Sequence, residues 1–187
     1  MTVFRDLAQH LLDIYENGVK ADATVGYVEI EEEREEDRLT LTVRDNGCGM
    51  DTETVRRITD PWTTTRTTRK VGLGIPFLKQ TAEMCGGHFE IESVKGEGTE
   101  TTATFQHSHI DRPPLGDLVA TLTCMIVGYP EVDLVYHQRV DGREFSFDTR
   151  EIRGVLGDEV PFSDPEVLGF LRSMLEEGIG ALYEERE

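Results

Sequence analysis

Two stretches in the first quarter of the chain alternate between apolar and polar residues, as strands with one buried face do. The clearer one is 38–44, and the other is 24–32. Between them the acidic run 31–37 predicts a solvated hairpin tip, because a run of like charges avoids burial. The alternating apolar positions of the clearer strand are Leu39, Leu41 and Val43.

The second strand ends in Asp45-Asn46-Gly47-Cys48-Gly49-Met50, the most informative segment of the chain. Glycine permits positive φ and lets the backbone approach a ligand closely, and a carboxylate at a strand end can accept hydrogen bonds. The same residue types are common in ordinary turns after strands. The segment therefore predicts either a simple turn or a binding turn, and its neighbours must decide between them.

Residues 3–21 carry apolar residues at three- and four-residue spacing, which predicts an amphipathic helix. A second stripe places Asp13, Asn17 and Lys20 on one side of that helix. A solvated face is the simpler explanation of this stripe. A carboxylate, an amide oxygen and an ammonium within two turns could also hold a hydrated Mg²⁺ and a phosphate chain. The apolar stripe consists of Phe4, Leu7, Ala8, Leu11, Leu12 and Tyr15.

A short helix is predicted over 51–58, and the segment after it, 60–70, has no periodicity and many hydroxyl side chains. This segment is either a disordered surface loop or a lid. In a lid, Arg66, Arg69 or Lys70 could neutralise phosphate groups.

The glycine-rich run Val71-Gly72-Leu73-Gly74 opens a further predicted helix, with Pro76 in its first turn and Gly86-Gly87 at its C-terminal cap. Such an entry leaves backbone N–H groups free at the positive end of the helix dipole. The run therefore predicts an anion site.

Two strands, predicted over 88–94 and 101–105 and joined by a hairpin turn, complete a series of segments. The series is a helix with Asp13 and Asn17, a strand with its Asp-Asn-Gly-Cys-Gly-Met turn, a short helix, a threonine-rich loop, Gly-Leu-Gly, a helix and a Gly-Glu-Gly-Thr hairpin. It resembles the GHKL superfamily of ATP-binding domains, shared by DNA gyrase B subunits, MutL proteins, histidine kinases and anti-sigma serine kinases. The resemblance spans roughly residues 3–107 and implies the Bergerat fold, an α/β sandwich in which helices cover one face of a mixed sheet.

The resemblance also implies roles for individual residues. Asn17 matches the asparagine that binds Mg²⁺, and Lys20 matches a basic residue that often faces the phosphates. Asp45 matches the aspartate that accepts a hydrogen bond from the adenine amino group, and Trp62 occupies the aromatic position of a family box. The other implied nucleotide-binding residues are Gly47, Gly49, Met50, Arg66, Lys70, Gly72, Leu73, Gly74 and Thr99.

One departure from the family pattern concerns catalysis. Hydrolytic relatives and anti-sigma kinases have a glutamate four residues before the asparagine, where this chain has Asp13. Asp13 is the candidate general base and, with Asn17, a candidate Mg²⁺ ligand. A base must come within hydrogen-bond reach of the proton it takes, so the shorter side chain predicts slow turnover or a bridging water.

A second departure is that the ATP-binding domain begins almost at Met1. We therefore expect no upstream hairpin with a phospho-accepting histidine, and hence no self-contained sensor kinase. The five histidines of the chain are expected to be structural or solvated.

A proline pair marks a predicted boundary between the ATP-binding domain, 1–107, and a smaller α+β extension, 113–187. Within the extension we predict a helix over 115–127, a hairpin with the type I′ dipeptide Asp141-Gly142, and a final helix starting at Ser163-Asp-Pro-Glu166. The extension carries no catalytic constellation. It either packs against the ATP-binding domain or serves as a partner or dimer surface.

The net charge of −18 argues against a nucleic-acid or anionic-membrane surface and leaves two explanations, solubility or a basic protein partner. Three widely spaced cysteines indicate neither a disulfide framework nor a zinc site and suit a reducing cytoplasm. No apolar run approaches membrane-spanning length, and no signal peptide is apparent.

These observations predict a stand-alone cytoplasmic regulatory protein that binds ATP and Mg²⁺ and acts in signal transduction on a protein partner, as a kinase in trans. Two alternatives stay open. One is a non-catalytic ATP-sensing module whose lid switches a partner interface, and the other is a slow ATPase.

Overall fold

A mixed sheet of six strands, in the order β3-β4-β2-β1-β5-β6, organises the structure, a computed structural model that describes residues 5–59, 74–157 and 160–184. Neighbouring strands are antiparallel except for β1 and β5, which run parallel. The mixed α/β architecture predicted from the sequence is confirmed. The strands are β1 (Val25–Glu33), β2 (Arg38–Asp45), β3 (Phe89–Val94), β4 (Gly98–Gln106), β5 (Asp133–Val140) and β6 (Arg143–Asp148).

Six helices accompany the sheet in the described residues, and the short fifth one was not predicted. An aspartate side chain caps the first, accepting a hydrogen bond from the Gln9 N–H at 2.9 Å, and the helix begins one residue after this Asp6. The helices are α1 (Leu7–Lys20), α2 (Thr52–Thr59), α3 (Gly74–Met84), α4 (Leu118–Gly128), α5 (Thr149–Leu156) and α6 (Pro165–Ala181).

Helices α1, α3, α4 and α6 cover one face of the sheet and share a single apolar core with it. The strands alternate as predicted: Leu39, Leu41 and Val43 are buried under the helices, whereas Thr40 and Thr42 lie half-buried on the opposite face. Burial of one sheet face against helices therefore supplies the core of this fold.

The segment predicted as an extension continues the same sheet. Strand β5 pairs in parallel with β1 from Val25 opposite Asp133 to Glu32 opposite Val140. Its buried residue Tyr136 joins the core that α1 also contacts. Residues 1–107 and 113–187 thus contribute to one sheet and one core, and their division into two domains stays a prediction.

The predicted hairpin at Asp141-Gly142 is confirmed, since both residues have positive φ, 47° and 82°. Two helix starts differ from the prediction. Helix α4 begins at Leu118 rather than 115, because Asp117 caps it. The cap of α6 is Asp164, one residue after the predicted Ser163, since the Asp164 carboxylate accepts from the Glu166 N–H at 2.9 Å.

A partly buried hydrogen-bond network joins β1 and β5 to Tyr183, which follows α6. The Glu32 carboxylate, whose side chain is 5% exposed, lies 2.9 Å from the His107 ring nitrogen Nε2 and accepts from the Tyr183 hydroxyl. Gln138 donates to Tyr183 at 2.8 Å and accepts from Tyr136 at 2.7 Å. The network stabilises a buried charge that would otherwise be costly.

Among the helices that the structure describes, none combines the length and the apolar content needed to cross a lipid bilayer.

Histidine 10 should make stability fall in mild acid. Its side chain is 2% exposed, and burial lowers its pKa from 6.5 to about 4. The unfolded chain therefore binds a proton first, so this stability is complete above pH 6.5 and is lost as pH falls towards 4. We expect His10 alone to lower the free energy of unfolding by about 2 kcal/mol between pH 7.5 and pH 5.

Urea unfolding of wild type and His10→Gln at these two pH values measures the effect. The variant lacks the histidine, so it should lose about 2 kcal/mol less than wild type between the two pH values. Equal losses in the two proteins would contradict the assignment.

Candidate functional site

A cavity of about 240 Å³ opens where β2 ends, between α1 on one side and α2 on the other. It brings together six of the predicted nucleotide-binding residues: Asn17, Lys20, Asp45, Gly49, Met50 and Thr99. Its other lining residues are Ile14, Ala21, Cys48, Thr54, Arg57, Ile58, Ile75 and Thr101.

The carboxylate of Asp45 is half-buried at the floor of this cavity. Strand β2 lies between β1 and β4, so Asp45 is opposite Gly26 on one side and Thr99 on the other. Its Oδ1 accepts a hydrogen bond from the Gly47 N–H at 2.8 Å. Burial raises the pKa of Asp45, and backbone hydrogen bonds from Gly47 and Thr99 partly oppose that shift. The carboxylate therefore favours a ligand that donates a hydrogen bond.

Three hydrogen bonds fix the turn after Asp45 to its surroundings. The Cys48 N–H donates to the carbonyl of Ala21 at 2.8 Å, and the Cys48 carbonyl accepts from Gly96 at 2.7 Å. The Met50 N–H donates to the Ser93 hydroxyl at 2.8 Å. The turn is thus bound to the end of α1 and to the β3–β4 hairpin, which holds the cavity wall in place.

Glycine 49 is required by the backbone of this turn. Its φ is 59°, and a Cβ there would lie 2.0 Å from the carbonyl oxygen of Val94. Gly47 does not line the cavity but allows the turn to pass close to Ala21, whose carbonyl oxygen would lie 2.6 Å from an added Cβ.

Helix α1 supplies the cavity wall that faces α2, and Asn17 and Lys20 line this wall. The Lys20 ammonium lies 3.1 Å from Glu16 Oε2, and its side chain is 63% exposed. A pair this exposed contributes little to stability, so the ammonium can turn towards an anionic ligand. Asn17 presents an uncharged amide one turn earlier on the helix.

Asp13 lies beside the cavity rather than in its lining. Its Oδ2 would be 1.7 Å from a Cβ on Gly74, so the carboxylate packs directly against the first residue of α3. That oxygen is buried and accepts no hydrogen bond from the described part of the chain. Burial raises the pKa of Asp13, and the nearby Lys20 lowers it in part. The catalytic and metal-binding roles of Asp13 stay predictions.

Several predicted residues fall outside the described ranges. They are Trp62, Arg66, Arg69, Lys70, Gly72 and Leu73. Gly74 begins α3 but does not line the cavity.

Sequence reasoning missed the wall that α2 provides. Thr54, Arg57 and Ile58 line the cavity from this helix. Their three- and four-residue spacing is that of one helix face and could have indicated a shared direction. The helix has only eight residues, and one of them is buried. The sequence therefore did not indicate which part of the protein that helix face contacts.

Residues 2–109 match the family model described as histidine kinase-, DNA gyrase B- and HSP90-like ATPase. The chain belongs to that ATPase family. The match covers α1 through β4, which together carry every described residue of the cavity. The curated relatives of the chain include sensor histidine kinases.

Two relatives of this ATPase are the sensor histidine kinase ZraS of Salmonella typhimurium and a non-motile and phage-resistance protein of Caulobacter vibrioides. The first is 32% identical over 51% of the chain, and the second is 29% identical over 63%. The matches span only 21% and 15% of those two proteins.

Solved structures with the same fold include the MutL ATPase domain of Aquifex aeolicus complexed with ADP. It aligns with a TM-score of 0.51 and 14% identity over 99% of this chain and 100% of that one. The N-terminal domain of a DNA repair protein aligns with a TM-score of 0.53 and 12% identity, over 83% and 58% of the two chains. These likenesses concern the fold.

Replacing Gly49 by alanine should disrupt the binding turn. Gly96 is the matched control, because its φ is also positive, 87°, but an added Cβ would meet nothing within 4 Å. Gly96→Ala should cost about 1 kcal/mol of unfolding free energy from left-handed strain alone. Gly49→Ala should cost at least about 2 kcal/mol more, since the Val94 carbonyl must move.

Urea unfolding of both variants tests this difference. Equal losses would mean that the Val94 backbone yields without cost, and that the close contact does not determine the residue at position 49.

Proposed function

We propose that this chain binds ATP with Mg²⁺ in the cavity and acts as a regulatory kinase on a protein partner in trans. The observation that carries the proposal is the half-buried Asp45 carboxylate, held by Gly47 at the floor of a largely apolar cavity that also contains Asn17 and Lys20. A flat apolar base with an exocyclic amino group fits such a floor, because the amino group donates and the carboxylate accepts.

The residues present suit each part of Mg·ATP. Asp45 would accept from the adenine amino group, and Thr99 lies opposite it on β4. Asn17 would offer one oxygen ligand to Mg²⁺, which normally keeps several waters and phosphate oxygens. Lys20 would face the phosphates. Bound Mg²⁺ would neutralise phosphate charge and orient the phosphate chain.

The kinase role relies on Asp13 as general base. The desolvated carboxylate adjoins the first residue of α3, where helix N–H groups favour phosphate. A protein acceptor and a cytoplasmic location belong to the same proposal. Support comes from the family of the chain and from its sensor kinase relatives.

A second candidate function is an ATP-sensing module without turnover. The position of Asp13 favours it, because this carboxylate packs against Gly74 and does not line the cavity. In such a module nucleotide binding alone would change the surface that a partner recognises. A slow ATPase requires the same base as the kinase.

The Asp45→Asn variant tests whether Asp45 is needed for Mg·ATP binding rather than for folding. Mg·ATP at a hundredfold its dissociation constant should add about 2.7 kcal/mol to wild type and raise its midpoint by roughly 5 to 11 °C. The variant should show no such shift, because its amide has only one acceptor oxygen, and the Gly47 N–H already donates to an oxygen at this position.

Without nucleotide, Asp45→Asn should be at least as stable as wild type at pH 7.5. Burial raises the pKa of Asp45, so the folded state disfavours the carboxylate at neutral pH, and the substitution removes that cost. Thermal unfolding with and without Mg·ATP measures both effects. A wild type that does not respond to Mg·ATP would refute the proposed binding.

The Asp13→Asn variant separates the kinase from the sensing module. It should keep the thermal response to Mg·ATP and lose phosphate transfer, or ADP release, by a factor of about 10² or more. The assay follows radiolabelled γ-phosphate and ADP in the presence of candidate protein acceptors. Turnover that persists in Asp13→Asn would exclude Asp13 as the base, and a wild type that binds ATP without any turnover would favour the sensing module.

A further inference from the structure

Arg57 is the charged residue of the cavity that the family resemblance does not account for. It lines the α2 wall together with Thr54 and Ile58. Among the described lining residues only two are cationic: Lys20 on α1 and Arg57 on α2. The cavity therefore has one positive charge on each of two opposing walls.

The Arg57 guanidinium makes no salt bridge to a carboxylate within the described residues, whereas the Lys20 ammonium lies 3.1 Å from Glu16 Oε2. Glu53 precedes Arg57 by four residues on α2 but forms no salt bridge with it, and Asp51, just before the helix, has an Oδ1 that accepts from the Thr54 N–H at 2.7 Å. That carboxylate is thus engaged as the cap of α2. The guanidinium keeps its five donors available for an anion that enters the cavity.

The position of Arg57 along α2 indicates which part of a nucleotide it would meet. Helix α2 begins two residues after Met50, beside the turn that follows Asp45. Arg57 comes three residues after Thr54, which places it about 4.5 Å further along the helix axis from that turn. Its neighbour Ile58 lines the cavity with Ile75, from the first turn of α3. Arg57 therefore lies away from the base end of the cavity and towards the start of α3.

We propose that Arg57 binds the terminal phosphates of the nucleotide from the wall opposite Lys20, so that the site distinguishes triphosphates from monophosphates. This rests on the proposed function. A guanidinium suits the role because its planar fork can donate two hydrogen bonds to one phosphate.

The simpler explanation of Arg57 is its place in the last turn of α2, where cations interact favourably with the helix dipole. Arg56 is in the same turn and is also exposed, but it does not line the cavity. Arg56 is therefore a matched control, because it shares the interaction with the helix dipole but does not line the cavity.

The test is calorimetric binding of Mg·ATP and of AMP to wild type, Arg57→Gln and Arg56→Gln. Arg57→Gln should weaken ATP binding about 10- to 100-fold and AMP binding less than about threefold. Arg56→Gln should change neither by more than about twofold. Arg57→Lys should lie between Arg57→Gln and wild type, since it keeps the charge and loses the fork.

Two results would overturn the inference: an unchanged ATP affinity in Arg57→Gln, or equal losses for ATP and AMP, which would place the guanidinium at the base, the ribose or the α-phosphate. Either result leaves the proposed function intact, provided that wild type binds ATP. A wild type that binds neither nucleotide refutes the proposed function itself. Thermal unfolding of each variant without nucleotide shows that the fold is retained.

Discussion

The half-buried Asp45 carboxylate at the end of β2 sets the conditions that the surrounding elements must meet. Helix α1 approaches so closely that a Cβ on Gly18 would lie 2.8 Å from the Asp45 side chain. On the other side, a Cβ on Gly98 would lie 2.0 Å from the Asp45 carbonyl oxygen. Residues without side chains are needed at both contacts, and what remains open around the carboxylate is the cavity.

Placing such a group in a cavity has an energetic cost that the rest of the fold offsets. Burial raises the pKa of Asp45 and of Asp13, which means that the folded chain disfavours both charges at neutral pH. Buried apolar area on the sheet and helices stabilises the fold against that cost. Because these desolvated carboxylates beside an apolar cavity do not stabilise the fold, ligand binding explains them better than folding stability does.

The elements that could be predicted from the sequence are those specified by local patterns. Strand β2 alternates strictly, α1 carries an apolar stripe, and the dipeptide Asp141-Gly142 requires a left-handed turn. Helix α5 was not predicted because it has only eight residues, its apolar positions Ile152, Val155 and Leu156 span little more than one turn, and its cap, Asp148, also ends a strand. The parallel pairing of β5 with β1 joins residues more than a hundred positions apart, and no local pattern encodes a partner at that distance.

The candidate site likewise contains residues that the sequence predicted and residues that only the fold identifies. Asn17, Lys20 and Asp45 have residue types and spacings that binding chemistry favours, and Thr99 follows from the family resemblance, so all four were predictable before their positions in space were known. Thr54 and Arg57 belong to no motif, and only the packing of α2 against α3 and β3 turns them to the cavity. Residues that line a site through packing alone are identified by the fold and not by the sequence.

Helix α1 connects the site to the C-terminal third of the chain. At its start, the N–H groups of Leu7 and Ala8 donate to the carbonyls of Pro114 and Leu115 at 2.9 and 2.8 Å. Five residues before Lys20, the Tyr15 ring lies 6.3 Å from that of Tyr129, after α4. The helix that carries Asp13, Asn17 and Lys20 is thus held between the sheet and residues after 113. The placement of its polar side chains opposite Asp45 consequently depends on this C-terminal packing. The packing gives the segment a physical connection to the cavity, although none of the segment's described residues lines it.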